Sequence, residues 1–142
     1  MVDLISRAER FTKRIAVRDV QGVYTYADLL SASASIAASL LDGQSNLGEA
    51  RIAFLIKPSF KYVATHWGIW RAGGLAVPLC ADHPLPALVY ILHDAQVSQL
   101  IVDGDHFQDL LEEARESAIH FRQYDQLFGK SRLDLPSIHL EG

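Results

Sequence analysis

A chain of 142 residues is one domain in length and can bury roughly 68–70% of the surface its unfolded form exposes. Its 49% hydrophobic and 21% charged residues exclude a disordered chain, and a net charge of −4 without any basic block argues against a nucleic-acid footprint. No apolar run nears the roughly 20 residues a bilayer needs, residues 1–7 are charged too early for a secretory signal, and a lone Cys80 suits a reducing cytoplasm or organelle interior.

Leu4, Ile5, Ala8 and Phe11 form one apolar stripe, which predicts a helix from Asp3 to Arg14. Residues 15–19 then alternate as a strand, and Val20-Gln21-Gly22 reads as the turn of a hairpin into Val23-Tyr24-Thr25-Tyr26. Thr25 and Asp28 have the spacing of a capping box, in which a hydroxyl and a carboxylate satisfy free amides at a helix start. They open a helix from Tyr26 to Leu41, rich in alanine and serine and suited to close packing, with Gly43 as its stop.

A regular pattern follows. Residues 51–56 are nearly all apolar, as a strand covered on both faces must be. Ser59 caps a helix running to Ala72, with Phe60, Val63, Trp67 and Trp70 on one side, and Gly73 or Gly74 supplies a left-handed exit. A strand over 75–79 leads to a helix opened by Pro84 and Pro86, where unpaired amides make proline tolerable. A strand at 99–102, a helix over 107–117 and a short strand near 119–124 complete the series. Strands alternating with helices predict an α/β fold, a mostly parallel sheet with helices on both faces. Residues 1–125 read as the folded subdomain, and 126–142, with glycine, proline and no period, as a linker.

Chemical motifs are sparse. Gly43 to Gly48 has the glycine spacing of a phosphate-binding loop, but Glu49 and Ala50 replace the required lysine and hydroxyl, and the loop follows a helix rather than a strand. Neither a G-x-G-x-x-G fingerprint nor a G-x-S-x-G elbow occurs. His66 and His93 fall on helices, and His120 and His139 near or in the tail, without identifiable partners. Trp67 and Trp70, three apart on a helix, read as core rather than as a stacking pair.

One cluster stands where strands should end. Cys80, Asp82 and His83 follow one strand, and Asp103, Asp105 and His106 follow the next. Open α/β sheets bind ligands at the carboxyl ends of strands, and these residue types can ligate metal. Against that, loops at sheet ends are polar in any protein, and the spacing matches no ligand motif; whether the six converge is left open.

Tyr24-Thr25-Tyr26-Ala27-Asp28-Leu29, Arg51 to Leu55, Trp70-Arg71-Ala72-Gly73-Gly74-Leu75-Ala76-Val77-Pro78-Leu79 and Tyr90 to Ala95 occur in an order that resembles the N-terminal region of AMP-forming acyl-CoA synthetases. Trp67-Gly68-Ile69-Trp70 and His83-Pro84 look most like malonyl-CoA synthetase-type members. The resemblance implies that a carboxylate attacks the α-phosphate of ATP and that coenzyme A then displaces AMP, with Mg²⁺ among the groups stabilising charge. The family's T-S-G-T-T-G phosphate loop, its acidic motifs and its C-terminal lysine have no counterpart here, so no catalytic, cofactor-binding or metal-binding residue is carried over. The expectation is an N-terminal fragment, inactive alone, whose parent uses ATP, Mg²⁺, coenzyme A and a carboxylic acid. The alternative is a non-catalytic module that pairs with a complementary chain or with itself.

Overall fold

The computed structural model describes residues 2–104 and 107–128. Its elements are α1 (Val2–Ala8), β1 (Ile15–Asp19), β2 (Gly22–Thr25), α2 (Tyr26–Leu41), β3 (Arg51–Leu55), α3 (Phe60–Arg71), β4 (Leu75–Pro78), α4 (Leu85–Asp94), β5 (Gln99–Val102), α5 (Phe107–Glu116) and β6 (His120–Gln123), closed by a 3₁₀ turn at Tyr124–Phe128. β1 and β2 pair antiparallel as a separate hairpin, while the other four strands form a wholly parallel sheet in the order β4-β3-β5-β6.

The period of two within β3 and β5 sorts their side chains between two cores. Ile52, Phe54 and Ile101 face a layer built from α2, α3, α1 and the 3₁₀ turn. Ala53, Leu55, Leu100 and Val102 face Leu88 and Leu92 of α4 and Leu110 and Ala114 of α5. Helices therefore cover both faces, as the apolar runs require. The placement follows from handedness. The step β3 to β4 runs one way along the sheet, whereas β4 to β5 and β5 to β6 run the other way, so right-handed crossovers put α3 opposite α4 and α5.

The capping box at Thr25 is present in both directions. Thr25 Oγ1 accepts from the Asp28 amide at 3.2 Å, and Asp28 Oδ2 accepts from the Thr25 amide at 2.8 Å. Asp42, at φ 45°, caps the other end of α2, one residue before the expected Gly43. Ser59 Oγ accepts from the Tyr62 amide, as the sequence predicts for the start of α3.

α2 and α3 lie in close contact. The backbone of Gly68 on α3 meets Ile36 of α2, and the partly buried Arg71 guanidinium donates to Leu30 O at 2.8 Å and to Ser33 Oγ at 2.9 Å. Burial lowers the Arg71 pKa, and Glu9 opposes that shift. Trp67 is buried and Trp70 half-buried beside His66, so both tryptophans serve packing.

Two boundaries differ from the sequence reading. α1 ends at Ala8 rather than Arg14, because Ile5 and Ala8 are the last of its stripe to reach the core. The chain then turns, Phe11 donating to Ala8 O, and the Phe11 ring lies 4.5 Å from the Arg14 guanidinium instead of inside. Of the two glycines offered for the left-handed exit, Gly73 takes the positive φ, at 83°, as that reading allowed. Residues 126–128, expected to begin a linker, belong to the 3₁₀ turn, whose Tyr124 and Leu127 are buried in the first core. The rest of that segment, 129–142, lies outside the described residues.

Two features of α3 give measurable expectations. Thr65 is fully buried, and its hydroxyl has no hydrogen-bond partner among the described residues. Thr65→Val removes that unsatisfied group at constant shape, so its urea midpoint should equal or exceed the parent's; a loss above about 1 kcal/mol would point to a bond this geometry lacks.

His66 packs 4.2 Å from Trp70 and 5.6 Å from Phe54 by ring centroids, and its burial holds its pKa below 6.5. The unfolded chain then binds more protons than the folded one below about pH 6.5, so stability contributed here is present above that pH and is lost as pH falls toward the folded value. Urea midpoints at pH 7.5 and 5.5 should diverge less in His66→Gln than in the parent. An unchanged difference would place the acid sensitivity elsewhere.

Candidate functional site

β3 and β5 are neighbours whose outgoing chains leave for opposite faces, β3 to α3 and β5 to α5. Such a reversal opens a crevice at the carboxyl ends of the strands, where open α/β sheets bind their ligands. A cavity of about 600 Å³ occupies this position, lined by the β3–α3 loop, the start of α3, Asp103 and Gly104 after β5, and the hairpin residues Asp19 to Gln21 and Tyr24. A second lobe of about 540 Å³ shares Ile56, Lys57 and Pro58 and extends along Tyr62 and residues Pro78 to Asp82.

The crevice is built from distant parts of the sequence. Lys61 in the first turn of α3 reaches Asp103 across it, Nζ to Oδ2 3.3 Å, and lies 5.1 Å from the Tyr124 ring centroid. Burial, with Asp103 as the next contributor, raises the Tyr124 pKa and keeps its phenol protonated. On the opposite wall Asp19 accepts three amides: Gln21 at 2.8 Å and Gly22 at 3.1 Å through Oδ1, and Phe60 at 2.8 Å through Oδ2. The Phe60 amide, followed by its own hairpin amides, draws the Asp19 pKa below the usual carboxylate value against an opposing desolvation effect. Tyr24 stacks on Phe60 at 4.0 Å. The start of α3 thus already holds a carboxylate from within the chain.

Of the six residues singled out from sequence, the four that are described do not come together as a metal site. Cys80 and Asp82 line the second lobe, Cys80 is exposed, and the His83 amide only closes a turn onto Cys80 O. Asp103 lines the first lobe and pairs with Lys61. Asp105 and His106 lie outside the described residues. Among the described residues no three His, Cys, Asp or Glu side chains come together as a metal site. Among the described residues, the donors at these strand ends do not fit Mg²⁺. Lys61 and Asp19, which shape the crevice, were missed from sequence because their partners lie 42 and 41 residues away.

His93 Nε2 meets Glu113 Oε1 at 2.9 Å and Ser117 Oγ at 3.4 Å. The carboxylate and the hydroxyl share one imidazole nitrogen, whereas a hydrolytic triad needs them on opposite nitrogens. The cluster ties α4 to α5 and has no catalytic geometry. No described helix is long and apolar enough to cross a membrane.

This doubly covered sheet is one that known proteins share. A family model described as AMP-binding enzyme matches residues 4–134, nearly the whole chain. The chain belongs to the AMP-binding enzyme family. Among its relatives in that family is the mitochondrial malonate–CoA ligase ACSF3 of Xenopus laevis, 34% identical over 115 residues that cover 78% of this chain and 20% of that protein. The human ACSF3 is 34% identical over 109 residues, covering 74% and 19%. The chain thus spans about a fifth of the length of these relatives.

Among solved structures, ATP-bound MatB from Rhodopseudomonas palustris superposes with a TM-score of 0.80 at 19% identity, covering 99% of this chain and 30% of that one. MenE from Bacillus subtilis, in complex with its acyl-adenylate intermediate OSB-AMP, gives 0.78 at 22% identity, covering 97% and 34%. At such identities these two show a shared fold. It is that of the N-terminal part of adenylate-forming enzymes.

Proposed function

We propose that this chain is the N-terminal α/β portion of an AMP-forming acyl-CoA ligase, and that it has no ligase activity without the segments that bind phosphate. The reaction of the whole enzyme joins a carboxylic acid to coenzyme A at the expense of ATP, with Mg²⁺, and releases AMP and pyrophosphate. The observation that carries this reading is the family match over residues 4–134. Malonate is the first acid to test, because malonate–CoA ligases stand among the relatives at 34% identity. Chemistry supports inactivity of the chain: transfer at phosphorus needs donors aimed at developing charge, whereas Lys61 in the crevice is paired with Asp103 and the glycine-spaced loop at 43–48 lacks the lysine and hydroxyl of a phosphate loop.

In this reading residues 2–128 provide a doubly covered sheet and the hairpin beside it, and the phosphate loop is encoded beyond residue 142. The coding sequence beyond residue 142 tests it. A T-S-G-T-T-G motif in frame is expected, and an in-frame stop with no such motif in an adjoining gene would contradict the fragment reading.

The second reading, a module that pairs with a complementary chain or with itself, has one observation in its favour. Ile15, Val20 and Val23 of the hairpin are 47%, 99% and 54% exposed, an apolar outward surface. The β4 edge is less inviting. Leu75 and Leu79 donate to Ala50 and Phe54 on the β3 side, so Ala76 and Pro78 face outward, and Pro78 has no amide to offer a new strand. Light scattering over a hundredfold concentration range separates the readings, since a constant monomer mass removes self-pairing.

A further inference from the structure

We propose that the β1–β2 hairpin is a hinged wall of the switch-point crevice, latched shut by the Asp19 carboxylate at the start of α3. The hairpin forms a sheet of its own, and two strands alone are marginally stable in water. Its base is fixed to the body. Tyr26 donates to Arg14 O and Ala27 to Thr12 O, each at 3.0 Å, and Ala16 packs against the first core. The tip is held differently. Among the described residues, its hydrogen bond to the body is the one from the Phe60 amide to Asp19 Oδ2, and the Tyr24–Phe60 stack lies beside it. Beyond these the tip faces solvent, with Val20 fully exposed.

The latch carboxylate does two jobs at once. Oδ1 closes the hairpin turn through the Gln21 and Gly22 amides, and Oδ2 docks that turn onto α3. Releasing it moves Asp19, Val20, Gln21 and Tyr24 away together, and these four residues supply one wall of the cavity. The opposite wall, with Lys61 paired to Asp103 and the sheet behind it, stays with the body. Opening is therefore a local event that widens the crevice while the body remains folded, the kind of sub-global unit that exchange experiments resolve.

Native-state hydrogen exchange on the 142-residue chain, residue by residue in increasing denaturant, tests this. The amides of Gln21, Gly22 and Phe60 should exchange together through an opening with a smaller denaturant dependence than Ile69 in the α3 core. Asp19→Asn should speed those three at least roughly tenfold, the loss of one charge-assisted bond, and leave Ile69 within about twofold. Exchange of the three amides with the same denaturant dependence as Ile69 would overturn the proposal. An equal acceleration at all four sites in Asp19→Asn would also do so. If that variant does not fold, the denaturant dependence of the parent chain decides alone.

Discussion

Gly68→Val is expected to lose about 3 kcal/mol or more of folding stability. A Cβ at this position would stand 2.6 Å from Cγ2 and 2.8 Å from Cβ of Ile36, and 3.2 Å from the Ser33 carbonyl oxygen. The first two distances are too short for any real contact, and Ile36 is itself fully buried, so it has no free volume to move into. Valine adds two further methyl groups at the same place. Relief requires α2 and α3 to separate, which would strain the Arg71 bonds to Leu30 and Ser33. Gly68→Ala separates sterics from propensity. Alanine favours a helix interior by about 1 kcal/mol over glycine, so the clash in Gly68→Ala is the net loss plus that amount. Chemical denaturation followed by far-ultraviolet circular dichroism should give midpoints falling in the order parent, Gly68→Ala, Gly68→Val. A valine variant matching the parent would mean that the two helices are not in the contact described.

The second large effect is at Gly73, where Gly73→Val should cost about 2–4 kcal/mol. The residue sits at φ 83°, a conformation that costs a side-chain-bearing residue roughly 1–2 kcal/mol, and more when it is β-branched. An added Cβ would also overlap the Asn46 side-chain amide, whose oxygen accepts the Gly48 amide at 2.7 Å. That loop is sewn to the turn by Leu47 donating to Ala72 O and Glu49 to Gly73 O, so the damage would spread to the segment feeding β3. Gly74 has ordinary backbone geometry and a less crowded Cβ position, 3.1 Å from Ile69 and 3.2 Å from Ala50 O and Ile52. Gly74→Ala should therefore lose less than Gly73→Val. The reverse order would return the left-handed exit to Gly74.

Local signals carried most of the fold. Thr25 and Asp28 lie within one turn, so their capping box was readable and α2 begins and ends at Tyr26 and Leu41 as expected. The alternation of strands with helices likewise required a parallel sheet. Which strand neighbours which was not readable, because the order β4-β3-β5-β6 depends on pairings between segments tens of residues apart. The candidate site suffered for the same reason. Cys80, Asp82, His83 and Asp103 were found by rule, since all lie where strands end, but ends of different strands need not meet. The groups that do meet, Lys61 with Asp103 and Asp19 with the Phe60 amide, join a helix start to a strand end and to a hairpin turn. Neither pairing has a spacing that sequence alone can mark. α1 was drawn too long because periodicity continues through Phe11, and only the core decides where a stripe stops being buried.

The family's sequence features now have physical roles in this chain. Trp67 fills the first core, Gly68 lets two helices touch, Arg71 ties them, and Gly73 turns the chain into β4. Each of these roles is structural. The central claim, that this portion frames an acyl-activating site without supplying its chemistry, is tested most directly by pyrophosphate release. The purified 142-residue chain, shown folded by circular dichroism, is incubated with ATP, Mg²⁺, coenzyme A and malonate or a panel of other carboxylic acids. The account predicts no pyrophosphate above the protein-free rate with any acid; acid-dependent turnover by this chain alone would contradict it.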